Sequence, residues 1–287
     1  MGVTRRLLAV GALALGTAAC TTVVDQDSFA PRPRAAPAGE LVVPSGYSAS
    51  SAMIPLAGLG EVHAVRLVHP AAEATILVSG GNGHFVNTSG KRIGALASAT
   101  GANLIVYDYP GRGGTTIPNT IEASVEAGPK FVAALRERGW IDAATPVFAY
   151  GFSFGGSQAA GHARAGGFAG LIIEGSAADT AAVARNFVPA IARPFVRLEI
   201  DPALAAFDYF GYAVAARAPI LLLAARDDET VTTQNIEDFA RQLREAGATV
   251  TVALAPGPHG AALASAEGTA AVGDFVRAQT AGAVAPP

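Results

Sequence analysis

The chain has 287 residues, 51% apolar and 15% charged, with 20 basic residues against 23 acidic for a formal net charge of -3. That apolar content can bury the core of one large α/β domain or two small ones, and it excludes a chain disordered beyond its ends. The near-neutral balance gives no electrostatic footing for nucleic acid as a partner, and a single cysteine excludes an intramolecular disulfide.

Residues 1–19 read as a secretory signal peptide: Arg5 and Arg6 precede an apolar stretch over 7–15, and Thr17, Ala18 and Ala19 lead into Cys20. The apolar stretch is short of the roughly 20 residues that a transmembrane helix needs. Cys20 after Thr-Ala-Ala resembles a bacterial lipobox, with Thr17 where Leu is usual. On that resemblance Cys20 is lipidated and becomes the mature amino terminus of an exported lipoprotein of the cell envelope, held to a membrane by its lipid. Thr21 rather than Asp after the cysteine resembles lipoproteins sent on to the outer membrane of a two-membrane cell. Residues 20–40 are rich in Pro and Ala without a period that could bury a face, and are expected to be a tether ahead of a folded domain at 41–287.

Within that domain, residues 61–68 alternate as a half-buried strand, and residues 74–80 form a continuous apolar run suited to a strand covered on both faces. A helix is predicted over 91–100, a strand over 103–109 and a break at Pro110-Gly111, then a helix over 122–138 and a strand over 146–150. A helix follows over 154–165 and a strand over 169–176. An irregular stretch at 177–218, carrying Phe187, Phe195, Phe207, Tyr209, Phe210 and Tyr212, reads as a small cap. The alternation resumes with strands at 219–225 and 249–254 and helices at 233–246 and 261–277. Strand and helix alternating with such apolar strands predict an α/β fold with a mainly parallel sheet and helices on both faces.

The segment VFAYGFSFGGSQAAG, residues 147–161, places Ser153 between the predicted strand and helix in the pattern Gly-x-Ser-x-Gly. In such a nucleophile elbow the serine backbone is crowded, so Gly151 and Gly155 must lack a Cβ, and the following helix presents its first N–H groups where a negative oxygen would develop. A serine hydroxyl needs a base, and the base needs an acid to fix its tautomer. Of the five histidines, only His259, in PGPHG, follows the last predicted strand at the carboxyl end of the sheet. The carboxylates Asp227, Asp228 and Glu229 leave the strand at 219–225. The chain order serine, acid, histidine is that of α/β-hydrolases.

The chain resembles the α/β-hydrolase family over residues 62–277, and more narrowly its small-capped Bem46-like members and the mammalian ABHD-type groups related to them. The motifs are ILVSGGNG, where relatives carry His-Gly-Asn, YDYPGRGGT, and PILLLAARDDETV. Counted from Pro219, the family acid falls on Asp228, with Asp227 as the alternative. The resemblance implies an oxyanion hole from the backbone N–H groups of Phe154 and Gly81, with Asn82 as the next candidate. Ser79-Gly80 departs from the family's His-Gly.

The residues around Gly80 complete neither a dinucleotide fingerprint, which would need Gly at Val86, nor a phosphate loop, which would need Gly at Phe85 and a hydroxyl at Arg92. No cofactor and no metal are expected, since neither HExxH nor paired cysteines occur. The function expected is a serine hydrolase cleaving a carboxylic ester or thioester through an acyl-enzyme, with Phe152, Phe154 and the cap aromatics as its acyl pocket. The small-molecule ester would be lipophilic if the domain is held at a membrane. A peptidase or amidase on the same fold, and a catalytically silent binding lipoprotein, are the alternatives.

Overall fold

The computed structural model describes residues 20–25 and 35–284; the expected signal peptide, the side chain of Cys20 and residues 26–34 of the expected tether lie outside the described residues. The strands are β1 (Cys20–Val24), β2 (Ser48–Leu56), β3 (Gly60–Val68), β4 (Thr75–Ser79), β5 (Asn103–Tyr107), β6 (Val147–Phe152), β7 (Gly170–Glu174), β8 (Val196–Ile200), β9 (Ile220–Ala225) and β10 (Val250–Ala255). The helices are α1 (Gly90–Thr100), α2 (Ile121–Glu137), α3 (Phe154–Ala163), α4 (Thr180–Asn186), α5 (Tyr209–Ala215), α6 (Thr233–Glu245) and α7 (Ala266–Val284). No described helix is long and apolar enough to cross a membrane.

Eight strands form one sheet in the order β10-β9-β7-β6-β4-β5-β3-β2. Pairing is parallel from β10 to β5, and antiparallel from β5 to β3 and from β3 to β2. The continuously apolar runs take the middle: β4, β7 and β9 are buried along their whole length, because helices cover both faces. Alternate side chains point to opposite sides. Leu77, Ala149, Ile173 and Leu222 join a core with α2, α3, α5 and α6, while Ile76, Tyr150, Ile172 and Leu223 join a second core with α1 and α7.

Three elements differ from the expectation in informative ways. β2 carries small residues and Pro55 at the sheet edge, mostly exposed, so it lacks the alternation that a half-buried strand shows; edge positions are also where a strand tolerates proline. The last helix starts at Ala266 instead of 261, because residues 257–265 fold into turns and the Ser265 hydroxyl caps the helix by accepting the Gly268 N–H at 3.0 Å. The stretch 177–218 contains α4, β8 and α5, and α5 turns Tyr209 and Tyr212 into the core. β8 pairs in parallel with β1, Cys20 opposite Val196 and Val24 opposite Ile200.

Helix α3 is buried from Gly155 to Ala163, packed between the sheet, α2 and α5. Pro129 inside α2 has no N–H to give the Val125 carbonyl one turn earlier. The Arg164 guanidinium donates to that carbonyl, so the gap in one helix is filled from the end of the other.

The parallel strands deliver the site. β4 ends at Ser79 before Gly80–Gly83, β6 leads into Ser153, β7 into Gly175, β9 into Asp228, and β10 into the turn that carries His259. All lie at strand carboxyl ends, where an open α/β sheet has its crevice.

Candidate active site

Ser153 sits between β6 and α3 with φ 52° and ψ -122°, a conformation costly for a residue with a Cβ. The flanking glycines make it possible. A Cβ on Gly151 would collide with the Gly155 carbonyl, and one on Gly155 with the Ser79 carbonyl. The Ser153 N–H donates to the Glu174 carbonyl at 2.8 Å, fixing the elbow to β7.

His259 Nε2 lies 2.9 Å from Ser153 Oγ, and His259 Nδ1 lies 2.7 Å from Asp228 Oδ2. A carboxylate can only accept, so Nδ1 carries the proton and Nε2 is left as an acceptor for the serine hydroxyl. The Asp228 side chain is fully buried, and its other oxygen accepts the N–H groups of Thr230 and Val231, each at 2.8 Å. Asp227 is exposed and turned away: its carboxylate accepts the Gly257 N–H at 3.2 Å and its own N–H donates to the Gly257 carbonyl. It ties β9 to the histidine turn without touching the imidazole. Gly175, at φ 53°, passes so close to Asp228 and His259 that an added Cβ would stand 3.4 Å from both side chains.

Phe152 packs its ring 4.9 Å from the His259 ring, and the Arg92 guanidinium covers the phenyl at 3.8 Å. Arg92 donates to the buried Glu174 carboxylate and to Tyr150 Oη. Glu174 also accepts from Tyr150 Oη and from the Leu263 N–H, just beyond His259. Burial holds the Tyr150 phenol well above its usual range, so it stays a neutral donor.

The loop Gly80–Gly83 borders the nucleophile: a Cβ on Gly81 would lie 3.8 Å from that of Ser153. It is held from the YDYPGRGGT run. Tyr109 Oη donates to the Gly80 carbonyl, and Arg112 donates to the Asn82 carbonyl and, at 3.0 Å, to its side-chain oxygen. Asp108, buried, accepts the Val86 N–H at 2.8 Å and the Gly114 N–H at 3.2 Å. Ser79 bonds Tyr107 Oη at 2.9 Å, and that phenol meets His162 Nε2 at 2.6 Å. Burial lowers both His162 and His84 to about 4, so each stays neutral inside the fold.

A cleft of about 580 Å³ opens over Ser153, lined by Gly81, Asn82, Lys91, Arg92, Phe152 and His259 among others. None of the cap aromatics lines it, which corrects their expected place in an acyl pocket. Phe207, Tyr209 and Tyr212 are core residues, and Phe187 and Phe195 point to solvent. Phe154 turns from the cleft to pack against Tyr109, ring centroids 5.4 Å apart. A second serine–histidine–carboxylate chain lies elsewhere: Ser51 Oγ is 3.1 Å from His63 Nε2, and His63 Nδ1 is 2.7 Å from Asp108 Oδ2.

Sequence reasoning left Tyr109, Arg112, Arg92 and Glu174 without roles. The first two lay inside the quoted YDYPGRGGT run, and that motif was the available signal. Arg92 and Glu174 are 82 positions apart and carry no shared local pattern.

The family model described as Chlamydia CHLPS protein (DUF818) matches residues 61–193. No curated protein matches the chain. Among solved structures, the Pyrococcus furiosus esterase Pf2001 superposes with a TM-score of 0.67 at 14% identity, covering 87% of this chain and 97% of that one. The carboxyl esterase 2 of the mycorrhizal fungus Tuber melanosporum gives 0.62 at 18% identity, covering 86% of this chain and 90% of that chain. The Pyrobaculum calidifontis esterase gives 0.60 at 19% identity, over 83% and 86% respectively. Strand order, elbow and these superpositions together identify the architecture of residues 48–284 as the α/β-hydrolase fold.

Proposed function

We propose that the protein is a serine hydrolase that cleaves a carboxylic ester or thioester through an acyl-enzyme. The observation that carries the reading is the unbroken chain Ser153–His259–Asp228, at 2.9 and 2.7 Å, with its serine on a strained elbow. Ser153 Oγ attacks the substrate carbonyl as its proton passes to His259 Nε2; Asp228 holds the imidazole in the required tautomer and stabilises the imidazolium. The oxyanion is received by the backbone N–H groups of Phe154 and Gly81, each such donor typically worth about 3 kcal/mol in the transition state. His259 returns the proton to the departing alcohol or thiol, and water repeats the sequence to release the acid. Superposition on three esterases supports esters over other acyl compounds as the first substrates to try.

In this reading the chain is exported and anchored in the cell envelope by lipid on Cys20, and its substrates are small lipophilic esters. The test is labelling with a fluorophosphonate probe and mass mapping of the adduct. Labelling on the Ser153 peptide, abolished by His259→Ala and by heat denaturation, is the expected result. A folded protein that fails to label at Ser153 would overturn the mechanism.

A further inference from the structure

Four of the large apolar side chains most exposed among the described residues belong to the cap and the strand paired with it: Phe187 at 69%, Ile191 at 86%, Phe195 at 52% and Val23 at 51%. Three of them sit within nine residues of sequence, and that segment is folded on itself. Turns run from Ala184 to Phe187, from Pro189 to Ala192 and from Ala192 to Phe195. The Arg193 side chain closes the knot by donating to the Val188 carbonyl at 3.0 Å.

Its root is fixed. Asn186, the residue before Phe187, donates to the Thr230 carbonyl at 3.0 Å and to Asn235 Oδ1 at 2.8 Å, so the tip stands on the loop that carries Asp228. Solvent-facing phenylalanine and isoleucine held on an anchored tip, with Arg185 and Arg193 exposed beside them, have the composition of a surface that enters the headgroup and acyl boundary of a bilayer.

The amino-terminal strand identifies the occupant. β1 begins at Cys20, which pairs with Val196, the neighbour of Phe195. The sequence ahead of it is the apolar stretch at 7–15, and Cys20 is the residue expected to carry lipid. Whichever of these reaches the membrane, the chain leaves it at the cap tip.

We propose that the cap tip, through Phe187, Ile191 and Phe195, docks on a lipid surface and presents the cleft at the carboxyl ends of the strands to that surface. The proposal rests on the reading of the chain as exported and membrane-tethered, and is independent of the triad. Docking by the tip adds a reversible contact beside the lipid anchor, and that second contact fixes which face of the domain meets the surface.

The test uses the unlipidated chain beginning at Cys20, with Cys20→Ser and Ser153→Ala, so that neither the anchor nor catalysis enters the readout. Flotation with phosphatidylcholine vesicles containing a minority of phosphatidylglycerol should recover the protein. The triple variant Phe187→Ser, Ile191→Ser, Phe195→Ser should weaken binding at least about tenfold, with its circular dichroism unchanged. An Ile191→Trp variant should shift its emission to the blue on adding vesicles. No flotation of folded protein, or equal flotation of the triple variant, overturns the proposal. So does concentration-dependent dimerisation abolished by the triple variant without vesicle binding, which would assign the tip to a second copy of the chain. A protein that floats yet fails fluorophosphonate labelling when Ser153 is intact would separate failure of the hydrolase reading from failure of this one.

Discussion

The buried guanidinium of Arg112 donates to both the backbone carbonyl and the side-chain oxygen of Asn82. One residue of the glycine loop thereby has both of its oxygens fixed by a side chain 30 positions away. Lysine offers a single ammonium that cannot span two acceptors in a fixed plane. Arg112→Lys should therefore lower kcat by about 10- to 100-fold, since the loop's N–H groups lose their aim. KM for a small aryl ester should change far less, because in the proposed mechanism the loop serves the transition state more than ground-state binding. Steady-state kinetics on the variant, with its melting temperature as a check on folding, reads the split.

Asp227 and Asp228 are adjacent and differ in what they touch. Asp228→Asn preserves the shape but favours the wrong imidazole tautomer, and should lower kcat by about 10³- to 10⁴-fold. Asp227→Asn touches only the Gly257 backbone and should stay within about threefold of the parent, the range expected for an exposed polar contact. A comparable loss in both variants would assign the turn, and not the carboxylate beside His259, as the sensitive feature.

His84 and His162 are buried and neutral, each lowered by burial from 6.5 to about 4. Between these values the unfolded chain binds more protons than the folded one, so stability is complete above pH 6.5 and falls as pH drops towards 4. By pH 5 each histidine should have removed about 2 kcal/mol. Urea unfolding at pH 7 and pH 5 measures the loss; equal midpoints at the two pH values would contradict it.

Ser51, His63 and Asp108 repeat the hydrogen-bond chain of the site at similar distances. Ser51, however, lies within an edge strand paired with Val65, on ordinary extended backbone and with no helix starting behind it. Relay alone, without an oxyanion site and without the strained elbow backbone, should not make the exposed Ser51 a reactive nucleophile. Fluorophosphonate adducts should thus be absent from the Ser51 peptide in both the parent and Ser153→Ala. Labelling there that depends on His63 would mean that the relay alone suffices.

Ser153 and His259 were legible locally, the one by the glycines of its elbow and the other by its place after an apolar run. The strand end at 225, by contrast, offered three carboxylates, and only the family resemblance favoured Asp228 over Asp227 and Glu229. The central strands were legible locally too, since burial on two faces leaves no polar alternate. What escaped was settled by distant pairing. β2 became a strand by lying against β3, and its own exposed, small residues do not ask for that. The cap aromatics look alike in sequence, yet Tyr209 is core and Phe195 is surface, a difference made by where α5 folds back. Arg92 and Glu174 read as an unremarkable basic residue and a strand end until α1 and β7 bring them together.

Helix α3 holds Gly155, Gly156 and Gly161 among its ten residues, and each glycine costs a helix about 1 kcal/mol relative to alanine. On its own such a segment would not stay ordered in water. Its order is lent by the sheet, by α5, and by α2 through the carbonyl that Pro129 leaves open to Arg164. Ser153 is thus held by a segment whose amides are protected only as long as its neighbours stay closed. Opening of α2 would remove one of the contacts that order α3 and so loosen the elbow at its amino end, which makes the pose of Ser153 depend on residues far from the cleft.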